Sequence, residues 1–477
     1  ISPCFCASSI KLRIDEREDK SISIGSTSNP ALFIVWAIIA ALFILFFSLK
    51  RLPSRKQDIA LEVQELLKLY AAHPQVTALD TLLKNDTSRN IFLKGLNGSG
   101  PAMTIASLFT KGRGSYVCVL NDQEEAGYFY HDLMQLTASN EVYFFPSAYR
   151  RAIKYGHVDP ANEILRTEVL SRLQDPDASF VIVTYPDALA ERVVAREVLK
   201  ENTLKISVGE KLDNMFVSDV LDEYGFEQVD YVYEPGQYAL RGSILDVFSF
   251  SYEFPYRIDF FGDEVETIRT FDVETQLSKE KLDSIYIVPE MSKNAKDSTS
   301  LLGSLPRNTC IAARDLAWCK ERIGSVWNDD PVVADEESFA DIDQMRKKLV
   351  RGEDFLREVL DFRRIHFGAR PMGTADATIH FSTQTQPIYH KNFDRVSESF
   401  HKYLDEGYTL YILSDQEKQA NRIRMIFEDR GDNIPFTAVN RTIHEGFADD
   451  TLRICFFTDH QLFDRFHKFN LKSDKAR

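Results

Sequence analysis

The sequence predicts an α/β protein. In it, a parallel-sheet domain carries a small, mainly antiparallel β-rich insert and is followed by a second, smaller α/β domain. Before residue 206, short apolar runs alternate with amphipathic stretches, a pattern typical of strands buried on both faces of a parallel sheet. Between 206 and 292 the apolar runs come closer together and are joined by turn residues. After 292 the strand–helix alternation returns.

The first α/β part is predicted from apolar spacing. Apolar residues at helical intervals predict a helical region over 61–83, and a further amphipathic segment covers 161–173. Continuous short apolar runs of this kind indicate buried strands rather than exposed ones. The predicted strands are 91–93, 116–120, 142–145 and 180–184.

The insert contains a clear hairpin signal. Two strand-like runs, 256–261 and 264–271, flank Gly262-Asp263, a dipeptide that suits a two-residue β-hairpin loop.

After the insert, strand 309–313 and helix 315–323 restore the α/β pattern. A final unit has strands 408–413 and 452–458 around helix 416–428. The predicted division is an extension (1–55), a first α/β part (56–205), the insert (206–292), a second α/β part (293–384) and a small α/β domain (385–477).

The N-terminal extension contains an apolar segment, 31–49, that is just long enough to be a membrane-spanning helix. Lys50 and Arg51 follow it, so the positive-inside rule would leave the rest of the chain in the cytoplasm. The alternative is a misjoined reading frame, in which case the protein is cytoplasmic without an anchor. Nothing after residue 55 requires a membrane.

The charge and cysteine content restrict the kinds of partner. A net charge of −15 argues against a chain that mainly wraps DNA and favours protein partners. Weak DNA contact would use the dispersed basic residues, although a solvated surface explains them better. The six cysteines show no zinc-ligand spacing, so we expect reduced structural thiols, with Cys118 buried in a strand. His460, beside Asp459, lacks a nucleophile motif and is interpreted as structural. The dispersed basic residues considered for weak DNA contact are Lys94, Lys111, Arg113, Arg150 and Arg151.

A glycine-rich loop, Gly95 to Gly100 with Gly98 between them, lies after a predicted strand and before a predicted helix. This is the context of a phosphate-binding loop, but Pro101 and Ala102 occupy the positions that require lysine and a hydroxyl residue. The loop therefore lacks its phosphate-binding charge and its magnesium ligand. We expect no nucleotide, metal or other cofactor here and no catalytic residue. An ordinary glycine-rich turn predicts the same inactivity.

Two groups of motifs resemble a known family. Segments 241–248, 255–264 and 268–276 resemble the UvrA-interaction domain that UvrB shares with the bacterial transcription-repair coupling factors. Further motifs, at 386–394 and in the region 444–461, resemble the third domain of the coupling factors. The resemblance covers about 60–472. The altered glycine loop departs from UvrB, which keeps the lysine and hydrolyses ATP.

The resemblance implies that Arg241, Arg257 and Phe261 bind UvrA. Strand alternation agrees, because it places Arg257 and Phe261 on the face opposite the apolar residues of 256–260. Two structural alternatives remain open for these residues. Arg257 would form an ion pair with Asp259 or Glu264, and Phe261 would pack over its own turn.

The resemblance further implies an adaptor in transcription-coupled nucleotide excision repair that recruits UvrA. RNA polymerase binding and ATP-driven translocation would belong to domains of the full family that this sequence does not include. The first alternative is an ATP-dependent repair enzyme of the UvrB or helicase type. The second is a membrane-tethered scaffold, which rests only on the segment 31–49.

Overall fold

Strands and helices alternate along the first part of the chain, as the sequence predicts. The structure is a computed structural model and describes residues 61–465, except 86–87, 113, 149–159, 176, 202, 251, 253, 289–297 and 329–345. In chain order the first elements are α1 (Val63–Ala71), α2 (Pro74–Lys84), β1 (Asn90–Lys94), α3 (Gly100–Gly112), β2 (Tyr116–Val119), α4 (Gln123–Thr137), β3 (Val142–Phe144), α5 (Pro160–Arg172), β4 (Val181–Thr184), α6 (Pro186–Leu189), β5 (Val193–Val194) and α7 (Arg196–Glu201).

Strands dominate the middle of the chain, and helices return after it. The middle elements are β6 (Leu204–Ser207), α8 (Asn214–Glu223), β7 (Glu227–Gln228), β8 (Gln237–Arg241), β9 (Ile244–Val247), β10 (Tyr256–Phe261), β11 (Glu264–Phe271), β12 (Ser278–Leu282), β13 (Ser284–Ile287) and β14 (Ser298–Thr299). The later elements are α9 (Leu301–Ser304), β15 (Cys310–Ala313), α10 (Leu316–Asn328), α11 (Gly352–Val359), β16 (Arg363–His366), β17 (Ala377–His380), β18 (Thr383–Thr385), α12 (Phe393–Asp405), β19 (Thr409–Leu413), α13 (Glu417–Arg430), β20 (Thr437–Val439), β21 (Phe447–Asp449), β22 (Ile454–Thr458) and α14 (Asp459–Leu462).

The central sheet has seven strands in the order β17-β1-β16-β15-β2-β4-β3, and every neighbouring pair is parallel. Its inner strands are buried along most of their length, because parallel strands need cover on both faces. Strands from before and after the insert share this sheet. The predicted parallel α/β architecture, interrupted by an insert, is therefore confirmed.

The predicted helical region 61–83 is two helices rather than one. A single helix cannot continue through Pro74, because proline has no backbone N–H to donate and its ring clashes with the preceding turn. It instead occupies the first turn of α2, where that donor has no partner within the helix. His73 caps α2, its Nδ1 accepting a hydrogen bond from the Gln75 N–H at 3.1 Å.

The insert forms its own sheet, in the order β12-β11-β10-β9-β8-β7. All pairs are antiparallel except β7 with β8, so the predicted antiparallel character is correct for most of the sheet. The predicted hairpin is present. Phe261 pairs with Glu264 across the turn, where Gly262 takes a φ of 67°. Apolar side chains of β10 and of α8 form a separate core beneath the sheet.

The C-terminal sheet has the order β18-β21-β22-β19-β20 and combines parallel with antiparallel pairs. Helices α12 and α13 contribute to an aromatic core, in which Phe400 and Phe457 have ring centroids 4.3 Å apart. The second small α/β unit is thereby confirmed as a sheet with its own core. The predicted domain boundaries themselves remain predictions.

Four cysteines lie in the described part of the chain, and all four are buried free thiols, as expected. Burial raises the pKa of Cys310 to about 12, so this thiol stays protonated and inert near neutral pH. Cys4, Cys6 and the apolar segment 31–49 lie outside the described residues. Within the described ranges, no helix combines the length and the apolar character needed to cross a bilayer.

A fully buried hydrogen bond between a histidine and an aspartate connects the N-terminal helices to the C-terminal sheet. The His73 Nε2 lies 3.1 Å from an Asp449 carboxylate oxygen, and both side chains are completely inaccessible. The Asp449 carboxylate also accepts hydrogen bonds from the N–H groups of Thr451 and Leu452, each at 3.0 Å. One carboxylate therefore fixes both the helix connection and the turn after β21.

We expect Asp449→Ala to lower the free energy of unfolding by about 3–5 kcal/mol, because it leaves a buried histidine and two N–H groups unpaired. Urea denaturation followed by circular dichroism measures this loss. The matched control is Asp80→Ala, which removes the Lys84 pair at 2.8 Å, with Lys84 66% exposed. That change should cost less than about 1 kcal/mol. Equal losses in the two variants would contradict the assignment.

Candidate functional site

The glycine loop, residues 95–100, connects β1 to α3 and is packed against other parts of the chain. Gly95 and Gly98 have φ angles of 92° and 52°, which favour glycine. A side chain at Gly95 would collide with the Phe381 carbonyl, and a Cβ at Gly98 would lie 2.9 Å from the Gly446 carbonyl oxygen. Both glycines are therefore required by close packing, whether or not a ligand binds.

The turn formed by residues 444–446 lies directly against the glycine loop. The Ser99 N–H donates to the Glu445 carbonyl at 3.0 Å, and the Glu445 N–H donates to Ser99 Oγ at 3.0 Å. The Gly100 N–H donates to the Asn97 carbonyl at 3.0 Å. In a phosphate-binding loop such N–H groups face the ligand. Here the N–H groups of Ser99 and Gly100 donate to carbonyl groups of the protein itself.

Pro101 and Ala102, which the sequence places where a phosphate loop would need lysine and a hydroxyl residue, are both buried at the start of α3. Ala102 is fully inaccessible, and Pro101 lines a neighbouring cavity of about 320 Å³. Carboxylates dominate the charged lining of this cavity, and its Arg314 is paired with Glu125 at 2.8 Å. Such a lining repels the phosphates of a nucleotide. The acidic lining residues are Asp122, Glu124, Glu125, Asp132 and Glu445.

Asp132 connects α4 to the 444–446 turn. Its carboxylate accepts a hydrogen bond from the His444 N–H at 2.6 Å, and the Tyr128 and His444 rings stack with centroids 3.6 Å apart. Burial raises the pKa of Asp132 to about 7, against the opposing effect of hydrogen bonds from Ser99 and His444. The contact between the turn and the central domain therefore contains a carboxyl group that titrates near neutral pH.

The predicted faces of β10 are confirmed. Tyr256, Ile258 and Phe260 are buried, whereas Arg257 and Phe261 lie on the opposite face. Phe261 is 78% exposed, so it does not pack over its own turn. An aromatic side chain this exposed is the kind of residue that anchors protein interfaces.

The structural alternative for Arg257, an ion pair with Asp259 or Glu264, is wrong about the partner. Its guanidinium binds Asp246 on β9, with Nε and Nη2 donating at 2.7 and 2.8 Å. Asp259 instead pairs with Arg269 on β11. The reason is register: Arg257 lies directly opposite Asp246 across β9 and β10. With its side chain only 13% exposed, Arg257 is also less accessible than strand alternation predicts.

Arg241 converges on the same carboxylate. Its Nη2 donates to Asp246, and its guanidinium lies 4.9 Å from the ring centroid of Tyr231. The arginine side chain is 35% exposed, whereas Asp246 is 1% exposed. We call Arg241, Asp246 and Arg257 the docking cluster. Sequence reasoning missed Asp246, although an acidic residue within the apolar run 244–248 signals a buried carboxylate that needs partners.

Exposed apolar side chains also lie at the hairpin end of this sheet. Met215 and Phe216, in the first turn of α8, are 58% and 52% exposed. The Leu212 N–H donates to the Asp263 carbonyl at 2.7 Å, which holds the start of α8 beside the hairpin turn. The sequence interpretation of Asp263 as a turn residue agrees with this role.

Among the other candidates that the structure describes, His460 has a structural environment and the two lysines lie on the surface. His460 is buried, and its Nε2 lies 2.9 Å from the His444 carbonyl oxygen, which suits the structural role that the sequence predicts. Lys94 and Lys111 are exposed, whereas Arg113, Arg150 and Arg151 lie outside the described residues. Within the described ranges, no group of His, Cys, Asp and Glu side chains has the arrangement of a metal site.

Comparison with known proteins identifies the insert. The family described as "UvrB interaction domain" matches residues 204–292, the segment that contains Phe261 and the docking cluster. The chain is therefore a parallel-sheet α/β protein with a UvrB interaction domain. It is a relative of the transcription-repair coupling factors, to which it is similar over as much as 84% of its length.

Three relatives illustrate the similarity. The transcription-repair-coupling factor of Escherichia coli (strain K12) is 28% identical over 222 residues, 46% of this chain and 19% of that protein. The protein of that name from Haemophilus influenzae is 32% identical over 39% of this chain and 16% of its own length. The one from Staphylococcus aureus (strain bovine RF122 / ET3-1) is 22% identical over 84% of this chain and 41% of its own length. The chain thus spans less than half the length of these relatives.

The raised pKa of Asp132 generates a pH prediction. Between the ordinary aspartate pKa of about 3.9 and the native value of about 7, the folded state binds a proton that the unfolded state releases. This group's contribution to stability therefore falls as the pH rises through that window. In Asp132→Asn the side chain cannot titrate, while its amide oxygen still accepts the His444 N–H.

We expect the stability of the wild type relative to Asp132→Asn to decrease by up to about 1.4 kcal/mol per pH unit between pH 5 and pH 7. Urea denaturation of both proteins across this range measures the difference. A difference that stays constant with pH would show that Asp132 does not titrate in this window.

Proposed function

We propose that this chain is an adaptor in transcription-coupled nucleotide excision repair that binds UvrA through its UvrB interaction domain. The main support is the exposure of Phe261. This aromatic side chain is 78% exposed and lies on the same sheet face as the docking cluster, within the matched segment 204–292. The names of the relatives support the repair context. We place this function in the cytoplasm, where UvrA would encounter the chain.

The surface suits a protein partner. Aromatic and arginine side chains are enriched where interfaces gain most of their binding energy. The Arg241 side chain, 35% exposed, lies beside Tyr231, which is 53% exposed, so cationic and aromatic groups are adjacent. The net charge of −15 disfavours extensive contact with nucleic acid, and weak DNA binding has no further support from the described residues.

The alternative is an ATP-dependent repair enzyme, and the glycine loop argues against it. A nucleotide needs free N–H donors, a lysine and a hydroxyl group at such a loop. The Ser99 N–H is already bonded to Glu445, and Pro101 and Ala102 carry neither group. We therefore propose that this loop holds the 444–446 turn instead of a nucleotide.

The UvrA proposal predicts that Phe261→Ala weakens binding by about 10- to 100-fold, the range of about 1–3 kcal/mol expected for an interface anchor. Its exposure means that the fold should be unaffected. Calorimetry or surface plasmon resonance with cognate UvrA measures the loss. The matched control is Met425→Ala on α13, which removes an apolar side chain that is 60% exposed outside the UvrB interaction domain. No binding by the wild type at tens of micromolar would refute the proposal.

The glycine-loop proposal predicts that the chain does not bind ATP at micromolar concentrations, as measured by calorimetry with Mg²⁺. The double change Pro101→Lys with Ala102→Ser should not restore binding. The reason is that the 444–446 turn still uses the Ser99 N–H, and the surrounding carboxylates still repel phosphate. Micromolar affinity in the wild type would revive the enzyme alternative. Affinity only in the double variant would show that the two side chains alone abolished the site.

A further inference from the structure

The two arginines of the docking cluster contact one buried carboxylate in different ways. Asp246 lies on β9 between β8 and β10, with Arg241 on one side and Arg257 on the other. Because Asp246 is 1% exposed, its negative charge is stable only when cations neutralise it. Asp246 therefore determines where both guanidinium groups lie.

Arg257 has almost no hydrogen-bonding capacity left. A guanidinium has five N–H donors. Arg257 directs two hydrogen bonds to Asp246 and two to Gln276, one to its backbone carbonyl at 3.3 Å and one to its side chain at 3.0 Å. The ring of Phe271 lies 4.2 Å beneath the guanidinium carbon. Strong hydrogen bonding to Asp246 also raises the pKa of Arg257.

Arg241 keeps most of its donors free. Its hydrogen bonds go to Asp246 and, at 3.3 Å, to the Asp230 carbonyl, and each uses a single terminal nitrogen. Its side chain is 35% exposed, against 13% for Arg257. Tyr231 supports one face of the guanidinium. Arg241 is thus both oriented and accessible.

We propose that Arg241 contacts the partner directly, and that Asp246 and Arg257 are positioning residues that hold its guanidinium toward an oxygen acceptor on the partner. The inference rests on the proposed function, since it concerns the same surface. The partner should supply a carboxylate, because the cluster of two arginines and one aspartate carries a net positive charge. A guanidinium that is already oriented loses less side-chain entropy on binding.

The competing interpretation is that Arg241 and Arg257 both contact UvrA directly. A double-mutant cycle distinguishes this interpretation from positioning by Arg257. Arg257→Lys keeps the charge but loses the fork that grips Asp246 and Gln276. In the protein that keeps Arg241, Arg257→Lys should weaken UvrA binding by about 3- to 10-fold. In the Arg241→Ala background it should weaken binding less than about twofold, because the residue that it positions is gone. Equal fold-losses in the two backgrounds would overturn the proposal.

Phe261 provides the control for this cycle. It shares no hydrogen bond with the docking cluster, so its replacement by alanine should multiply with Arg241→Ala rather than overlap with it. The thermal midpoint of each variant, followed by circular dichroism, checks that the chain remains folded. A loss of binding that tracks a lowered midpoint instead of the coupling pattern would also count against positioning.

A second measurement needs no partner. Phenylglyoxal modifies accessible arginines, and peptide mass spectrometry of the full chain reports the rate at each site. Arg307, 78% exposed, is the internal reference. We expect Arg241 to react faster than Arg257. Asp246→Asn should accelerate both while leaving Arg307 unchanged.

The two measurements distinguish the two proposals. Modification of Arg257 as fast as Arg307 would overturn the positioning role, whatever UvrA does. Failure of the wild-type chain to bind UvrA would overturn the proposed function and, with it, the direct contact assigned to Arg241. Slow modification of Arg257, together with the coupling described for Arg241, would support both.

Discussion

The packing of the 444–446 turn against the glycine loop is the contact on which the rest of the architecture depends. It joins the C-terminal sheet to the central parallel sheet through paired hydrogen bonds between Ser99 and Glu445 and through the buried carboxyl group of Asp132. The same contact occupies the Ser99 N–H of the glycine loop. The glycine-rich loop thereby serves an internal junction, and the close approach of the Gly446 carbonyl explains why Gly98 is needed.

The insert has its own sheet and its own core, so its outer face can serve recognition without disturbing the central sheet. That face carries an exposed aromatic residue, Phe261, and a network of charged residues around Asp246. The buried carboxylate is costly unless it is paired, and the two arginines satisfy it. Of these two arginines, Arg241 stabilises Asp246 and still keeps an accessible side chain, whereas Arg257 is mostly buried.

Several elements were predictable because their signals are local. Continuous apolar runs identified β1, β2 and β4 as buried strands, and Gly262-Asp263 identified the hairpin. The helical region predicted over 61–83 is divided before Pro74, because the apolar spacing continues past this residue whereas the helical backbone cannot. Strand alternation assigned Arg257 to the correct face. It could not reveal how far neighbouring side chains bury that arginine.

The sequence by itself determined the α/β class, the position of the insert, the presence of Pro101 and Ala102 after the glycine loop, and the outward direction of Phe261. Each depends on the residue type and on its near neighbours along the chain. Only the tertiary structure decided that Asp246 rather than Asp259 binds Arg257, and that the Glu445 carbonyl accepts the Ser99 N–H. These contacts join residues that are close only after strands pair and sheets pack, because register and packing depend on the whole chain.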